Sequence, residues 1–367
     1  HKLLVTNSIS ILSFEQITNV SEISFFDTDD YRVKNILETS TNIKKIKLLM
    51  PDADEEDINE YENIDITKLM NVIELEVNTY GLEFLKHYFS NLENLKILKI
   101  NCGHKKCISQ ITTPPNIEVF QIIASDCNLF FSNYDALRAI NVEYINLNDH
   151  IINMNNLEIL FYDGPLHLEI MQQLKVLKCI SLEQIRFGEI SNLEYLYVSN
   201  SIDNLQIIQN ANIIQNLKVL ILDTFETNNI NEIIQLCHNL EIFAIKNLKC
   251  IDYNSNVLNL DNMKKLKTLI IDENIILNST NEDIQIIYYN SDKRCYYRKQ
   301  HALDYNGYNY VKIVIGFDTL LNSFFDFNNF VMLLDQKHMI GGSINYKLKY
   351  SKYLKKNQYL KTLYNQK

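Results

Sequence analysis

Hydrophobic positions along this chain recur in a seven-residue phrase: an Asn, an apolar residue, two variable residues, an apolar residue, a variable residue and a further apolar residue. The phrase stands at Asn94–Ile100, Asn192–Val198 and Asn216–Leu222. With the first apolar residue taken as position one, copies begin at Val20, Ile43, Val72, Leu95, Ile117, Val142, Leu157, Leu174, Leu182, Leu193, Leu217, Leu240 and Leu266. Early steps are 22 to 29 residues and late ones 23 to 26, but those between Val142 and Leu193 shorten to between 8 and 17. A step of 8 or 11 cannot hold a full turn of chain. Either Leu182 belongs to a returning segment, or one of Leu174 and Leu182 is not an anchor, and about a dozen coils are expected.

A period near two dozen residues dictates a stack of similar units. Positions one, four and six point inward, and the segment around position four is a short strand with period two. One unit cannot bury its apolar edge alone, so neighbours stack and share a core. Where the step is long the return stroke can be helical. Gly81–Phe89 places apolar residues at 82, 85 and 89 with 84 and 88 alongside, and Ile230–Cys237 repeats the pattern. The short middle steps leave room only for a turn or a 3₁₀ piece. The expected stack is therefore helix-backed at both ends and thinner in the middle.

Over roughly residues 15 to 290 the phrase resembles the leucine-rich-repeat superfamily. The "LxxLxL" part matches, whereas the "xxN" that follows it does not: Asn200 stands at position eight, and Ser201 or Gly103 at position nine. The Asn ahead of position one thus reads as a spacer before the strand. The resemblance implies an α/β leucine-rich-repeat solenoid over residues 1–290, with a curved parallel sheet on the concave side and helices and turns on the convex side. Residues 291–336 break the pattern. Cys295-Tyr296-Tyr297, Val311–Ile315 and Phe324–Phe327 read as strands and aromatic plugs, the material of a C-terminal cap over the last coil.

Residues 337–367 form a basic Lys/Tyr-rich tail. The chain as a whole carries 35 Lys plus Arg against 45 Asp plus Glu, a net charge of −10. The tail holds eight Lys and no acid, so an acidic body is joined to a basic end. Ile340–Lys356 resembles the "GG…KYxKYxxKYxxLK" tail of proteins from giant, mimivirus-like DNA viruses. Together with a composition rich in Asn, Ile, Lys and Tyr, this implies a giant-virus leucine-rich-repeat protein. Tyr346, Tyr350, Tyr353, Asn357, Leu360 and Tyr364 fall on one helical stripe. That stripe fits a Lys-solubilised amphipathic helix, docking on a partner or a like tail, or contact with nucleic acid or an anionic membrane.

Seven scattered Cys, without paired-Cys caps, favour a reducing compartment, and no apolar run is long enough to span a membrane. The expected location is the host cytoplasm or a viral factory, with the virion as an alternative. Catalytic chemistry is scarcely represented. No Gly-rich phosphate loop, nucleophile elbow or His-Glu-x-x-His occurs, and the chain has only eight Gly. Cys102-x-His104-x-x-Cys107, with Cys127 as a fourth ligand, is a weak zinc pattern and reads as loop and packing residues. Asp52–Asp57 lacks the Gly of a calcium loop and reads as a solvated extension. No enzyme activity, cofactor, metal or small-molecule substrate is expected.

Leucine-rich-repeat proteins bind partners on the concave strand surface, which the resemblance places at positions three, five and seven. The central copies would present Tyr144, Phe161, Tyr195 and Tyr197 beside Asn146, Asp163, Lys178, Arg186, Ile221 and Asp223. Aromatics flanked by charges are the composition of interaction hot spots. At position three, packing and partner contact are equally open; at position five, Phe161 and Tyr197 are expected to be exposed contacts. The resulting expectation is a non-catalytic protein-binding scaffold for a host or viral protein. Two alternatives stand beside it. Copies such as Ile233–Glu241 resemble those of F-box receptors, which implies a ubiquitin-ligase substrate receptor with an F-box preceding His1. The tail implies a virion or viral-factory component.

Overall fold

In the computed structural model the chain divides into two units, His1–Phe325 and Asp326–Lys367. The residues described are 2–6, 20–26, 30–39, 42–49, 66–106, 110–125, 128–143, 145, 154–164, 171–180, 192–199, 214–226, 231, 235–249, 257–272, 276–278, 284–290, 295–299, 310–313 and 326–339. In the first unit, sixteen strands form one sheet in which every neighbour but the last two pairs in parallel. This is a parallel β-solenoid. Successive copies align position for position: Glu22 with Lys45, Lys45 with Glu74, Glu74 with Ile97 and Ile97 with Val119.

The inward positions behave as their chemistry demands. Position one (Leu95, Leu157, Leu193), position four (Leu98, Leu160, Leu196) and position six (Ile100, Tyr162, Val198) are all buried in one continuous core. Cys179 stands at a position-six site and Cys237 on a return stroke. Both are free and buried, and burial pushes the Cys237 thiol up to about 12.

Two backbone devices hold each coil to the one before. The position-two carbonyl accepts two N–H groups, from positions two and three of the next coil, as when Lys96 O receives Glu118 N at 2.9 Å and Val119 N at 3.0 Å. The second device corrects an expectation, because the recurrent Asn is no mere spacer. Asn94 Nδ2 donates to Met70 O, Asn116 to Glu93 O, Asn156 to Asp135 O, Asn192 to Gln172 O and Asn239 to Gln215 O, at 2.5 to 2.9 Å. Each is an inter-coil tie at the strand entrance that satisfies a carbonyl the ladder leaves over.

The coil count also changes. Strand Lys2–Thr6 pairs in register with Glu22–Phe26, so a further strand precedes the copy that begins at Val20. Strand Gln285–Asn290 extends the stack after Leu266. In the middle, Ala139 to Val142 pair with Ile159 to Tyr162, which makes Leu137, not Val142, the anchor of that copy. Strand Val176–Cys179 pairs directly with Tyr195–Val198, so no strand from the Leu182 copy lies between them.

Helices are few. Asp30–Thr39 (α1) and Thr79–Leu85 (α2) back early coils, and α2 continues as a 3₁₀ segment, Lys86–Asn91. The helix start is set by Asn78, whose Oδ1 accepts Gly81 N at 3.0 Å. Gly81 is required there, since a Cβ would lie 2.8 Å from Leu48 O on the neighbouring coil. Elsewhere return strokes pair as two small parallel sheets, Gln110–Thr112 with Asn128–Phe130 and Val257–Asn259 with Ile276–Asn278. After Asn290 the sheet ends in antiparallel strands Cys295–Lys299 and Tyr310–Ile313. The second unit contains helix Phe327–Met339 (α3), with Phe327, Phe330, Val331 and Leu334 along one stripe. Of the 337–367 tail, residues 337–339 belong to this helix and 340–367 lie outside the described residues.

Candidate partner-binding face

In a parallel ladder equal positions of successive coils stand side by side, about 4.8 Å apart. The side chains on the face opposite the core therefore form rows along the sheet. At its N-terminal end the rows are charged. At position three Lys2 pairs with Glu22 at 2.8 Å and Lys45 with Glu74 at 2.6 Å; at position five Lys47 pairs with Glu76 at 2.5 Å. Lys99 adds a second cation to Glu74 at 3.1 Å, and Lys47 lies 5.9 Å from the Phe26 ring centroid. Burial pushes the Glu74 carboxyl up, but the hydrogen bond from Lys45 and the charge of Lys99 outweigh it and hold the group below its ordinary value.

Farther along, the rows become apolar. Position three runs Ile159, Val176, Tyr195, Val219; position five runs Phe161, Lys178, Tyr197, Ile221, Ala244. Lys178 lies between two rings, with its Nζ 5.6 Å from the Phe161 centroid and 5.2 Å from that of Tyr197. Burial pulls its pKa below the ordinary lysine value, and the negative charge of Glu143 only partly restores it. The aromatic faces stabilise a cation that water reaches poorly.

The residues expected to form the contact are distributed unequally. Phe161, Lys178, Tyr197 and Ile221 do share one row, with Tyr195 beside them and Asp163 and Asp223 half-buried at position seven. The expected exposure of Phe161 and Tyr197 is corrected: they are 4% and 7% exposed, and Tyr195 and Ile221 beside them 3% and 0%. They lie on the face opposite the main core and are flanked by their ladder neighbours. In the copy assigned to Val142 the frame is wrong by five residues. Ala139, Asn141 and Glu143 hold positions three, five and seven there, while Tyr144 and Asn146 lie outside the described residues. Arg186 also lies outside them, in the copy that contributes no strand between Val176–Cys179 and Tyr195–Val198.

Of the weak zinc pattern, Cys102 is buried, and Cys107 and Cys127 are outside the described residues. Among the described residues no group of His, Cys, Asp or Glu is arranged to hold a metal, and no helix is long and apolar enough to cross a membrane.

Inspection of single copies missed a row at position two, on the edge of the sheet. Its charges alternate from coil to coil, and the signal that finds it is the sign of the residue after each anchor. That sign also settles the disputed frame. Arg138 continues the alternation after Glu118, whereas an anchor at Val142 would put Glu143 after Glu118.

No family model matches the sequence, and no curated protein matches it. Among solved structures, the chain is similar to the crystal structure of an internalin from Listeria monocytogenes. The identity is 14%, the match covers 78% of this chain and 85% of that one, and the TM-score is 0.43. The repeat assignment rests on the coil spacing and ladder register of this chain itself.

Proposed function

We propose that the protein is a non-catalytic scaffold that holds a protein partner along the concave face of its sheet. One observation carries this reading. Core positions are nearly interchangeable from coil to coil, whereas concave positions vary, running from a charged lattice (Lys45, Lys47, Glu74, Glu76, Lys99) to an aromatic–lysine stack (Phe161, Lys178, Tyr197). A long surface whose chemistry changes along its length suits an extended macromolecular partner more than a small substrate. Because the aromatic residues are buried, first contact falls to the charged coils and to the half-buried Asp163 and Asp223 at position seven. The hot-spot role of Phe161, Tyr195, Tyr197 and Ile221 is part of the proposal, and it requires that the partner reach them.

The likeness of the tail to giant-virus proteins extends the proposal to the cytoplasm of an infected cell. The free, buried thiols of Cys179 and Cys237 support a reducing compartment. The test is site-specific photocrosslinking in an infected-cell extract, with the crosslinker at Lys47 or Lys99 on the concave rows and at Lys264 or Asn156 away from them. Partners captured from the first pair and absent from the second support the reading; equal capture from both overturns it.

A further inference from the structure

The position-two residues of nine successive coils are Lys96, Glu118, Arg138, Glu158, Lys175, Glu194, Lys218, Glu241 and Lys267. Their backbones form one unbroken chain of hydrogen bonds, each N–H donating to the carbonyl of the same position in the coil before, at 2.8 to 2.9 Å. The side chains are thus stacked at the strand spacing of about 4.8 Å, with the sign reversing at every step. Lys96 reaches Glu118 at 2.6 Å and Lys218 reaches Glu194 at 2.8 Å. Arg138 and Lys175 clasp Glu158 from both sides, and Lys267 pairs with Glu241. Ahead of Lys96 the alternation continues at position three, through Lys2, Glu22, Lys45 and Glu74. Nine consecutive coils thus alternate in charge at position two, and the four before them alternate in a separate row at position three.

We propose that this alternation is the register code of the stack: it makes each coil complementary to its true neighbour and repellent to the next but one. A code is needed because the apolar positions cannot supply it. Position one is Leu in seven consecutive anchors from Leu137 to Leu266, and positions four and six are nearly all aliphatic. A coil that skipped its neighbour during folding would find an equally good apolar seat. It would also place like charges side by side; without the Glu158 coil, Arg138 would stand against Lys175. Isolated surface pairs contribute little, but this row is continuous and partly buried, with the Glu158 side chain 11% exposed. Like charges at the strand spacing are repulsive, as they are for cross-strand pairs. The row thus disfavours wrong stacking more than it strengthens correct stacking.

The code predicts that stability follows the number of like-signed neighbours, not the number of substitutions. In the full chain, reversing the sign at all nine rungs creates no like-signed step within the row. Reversing the five rungs from Lys175 onward creates one, at the 158/175 step. The single substitution Glu194→Lys creates two, and Glu194→Gln creates none. Urea unfolding at low salt should rank the midpoints in that sense: ninefold reversal close to the parent, fivefold lower, Glu194→Lys lowest and Glu194→Gln above Glu194→Lys. Hydrogen exchange in Glu194→Lys should be fastest in strands Val176–Cys179, Tyr195–Val198 and Val219–Glu226. About 1 M salt, which shortens the screening length to about 3 Å, should compress the ranking. The idea is overturned if the ninefold reversal is the least stable protein, if Glu194→Lys matches the parent at low salt, or if the ranking persists unchanged at high salt.

Discussion

Neutralising Glu158 tests the electrostatics of the stack at its most buried rung. Its carboxylate accepts from Arg138 Nε at 3.0 Å, from the same guanidinium again through Nη2, and from Lys175 Nζ on the opposite side. Burial pushes the carboxyl up; the hydrogen bonds from Lys175 and Arg138, with their charges, outweigh it and hold the group below its ordinary value of 4.5. Glu158→Gln keeps the volume and one acceptor but removes the charge, leaving two partly buried cations to flank an amide. Hydrogen bonds to a charged group are worth about 1.5–3 kcal/mol each, and the amide recovers part of that. Desolvation already offsets part of the native attraction, so a net loss of about 2 kcal/mol is expected near neutral pH.

The pH dependence has a definite sign. A carboxylate with a depressed folded pKa contributes stability that is present above the unfolded value and lost as pH falls through the folded one. The gap between parent and Glu158→Gln should therefore be full above 4.5 and close below it. Urea midpoints, with hydrogen exchange of strands Ile159–Tyr162 and Val176–Cys179, read this out. A gap below about 0.5 kcal/mol at neutral pH, the level of an ordinary surface pair, would refute the reasoning. So would a gap of undiminished size at pH of about 3.

Other substitutions probe other parts of the stack. Gly81→Ala should destabilise by about 1–3 kcal/mol in thermal melts, because Leu48 O lies 2.8 Å from the new Cβ and overpacking outweighs the helix-propensity gain; a stabilised variant contradicts that contact. Asn192→Ala removes the tie to Gln172 O and should cost about 1 kcal/mol, with faster exchange confined to the coils on either side. Lys178→Met keeps a flexible apolar chain between Phe161 and Tyr197 while deleting a poorly hydrated cation. Since burial depresses the pKa of Lys178, its charge opposes folding at neutral pH and ceases to do so as pH rises toward 10.5. The variant should therefore match or exceed the parent by up to about 1 kcal/mol at neutral pH, with the difference shrinking in alkali; a larger loss would mean that the ring contacts dominate.

Much of the solenoid was legible because its rule is local: wherever positions one, four and six are aliphatic, the strand lies where the spacing puts it. The frame failed where two readings overlap, and the Leu182 copy placed no strand between its neighbours. Leu137-Arg-Ala-Ile140-Asn-Val142 and Val142-Glu-Tyr-Ile145-Asn-Leu147 both satisfy the apolar spacing, and the second is preceded by Asn141 while the first follows Ala136. Weighting the Asn favoured the wrong frame; the charge at position two would have chosen the right one. The concave site was harder to read, because exposure is a property of neighbouring coils. Phe161 and Tyr197 look like isolated aromatics in their own copies. Only the ladder shows that they and Lys178 form one row continuing into Ile221 and Ala244, residues that are 0% exposed. Truncating them would perturb packing as much as binding, so a binding test must use the charged coils instead.

The Asn ties and the position-two ladder sit within a few residues of the strand entrance, and the length of chain between successive entrances varies widely. The sequence distance across one step is 17 residues from Glu158 to Lys175 and 29 from Lys45 to Glu74, yet both pairs stand in the same kind of register. Spacer length is therefore decoupled from alignment. For protein engineering, the return strokes are natural ports at which a fluorescent protein or a second recognition domain can be spliced without retuning the sheet, while single-residue insertions between positions zero and four should be tolerated nowhere.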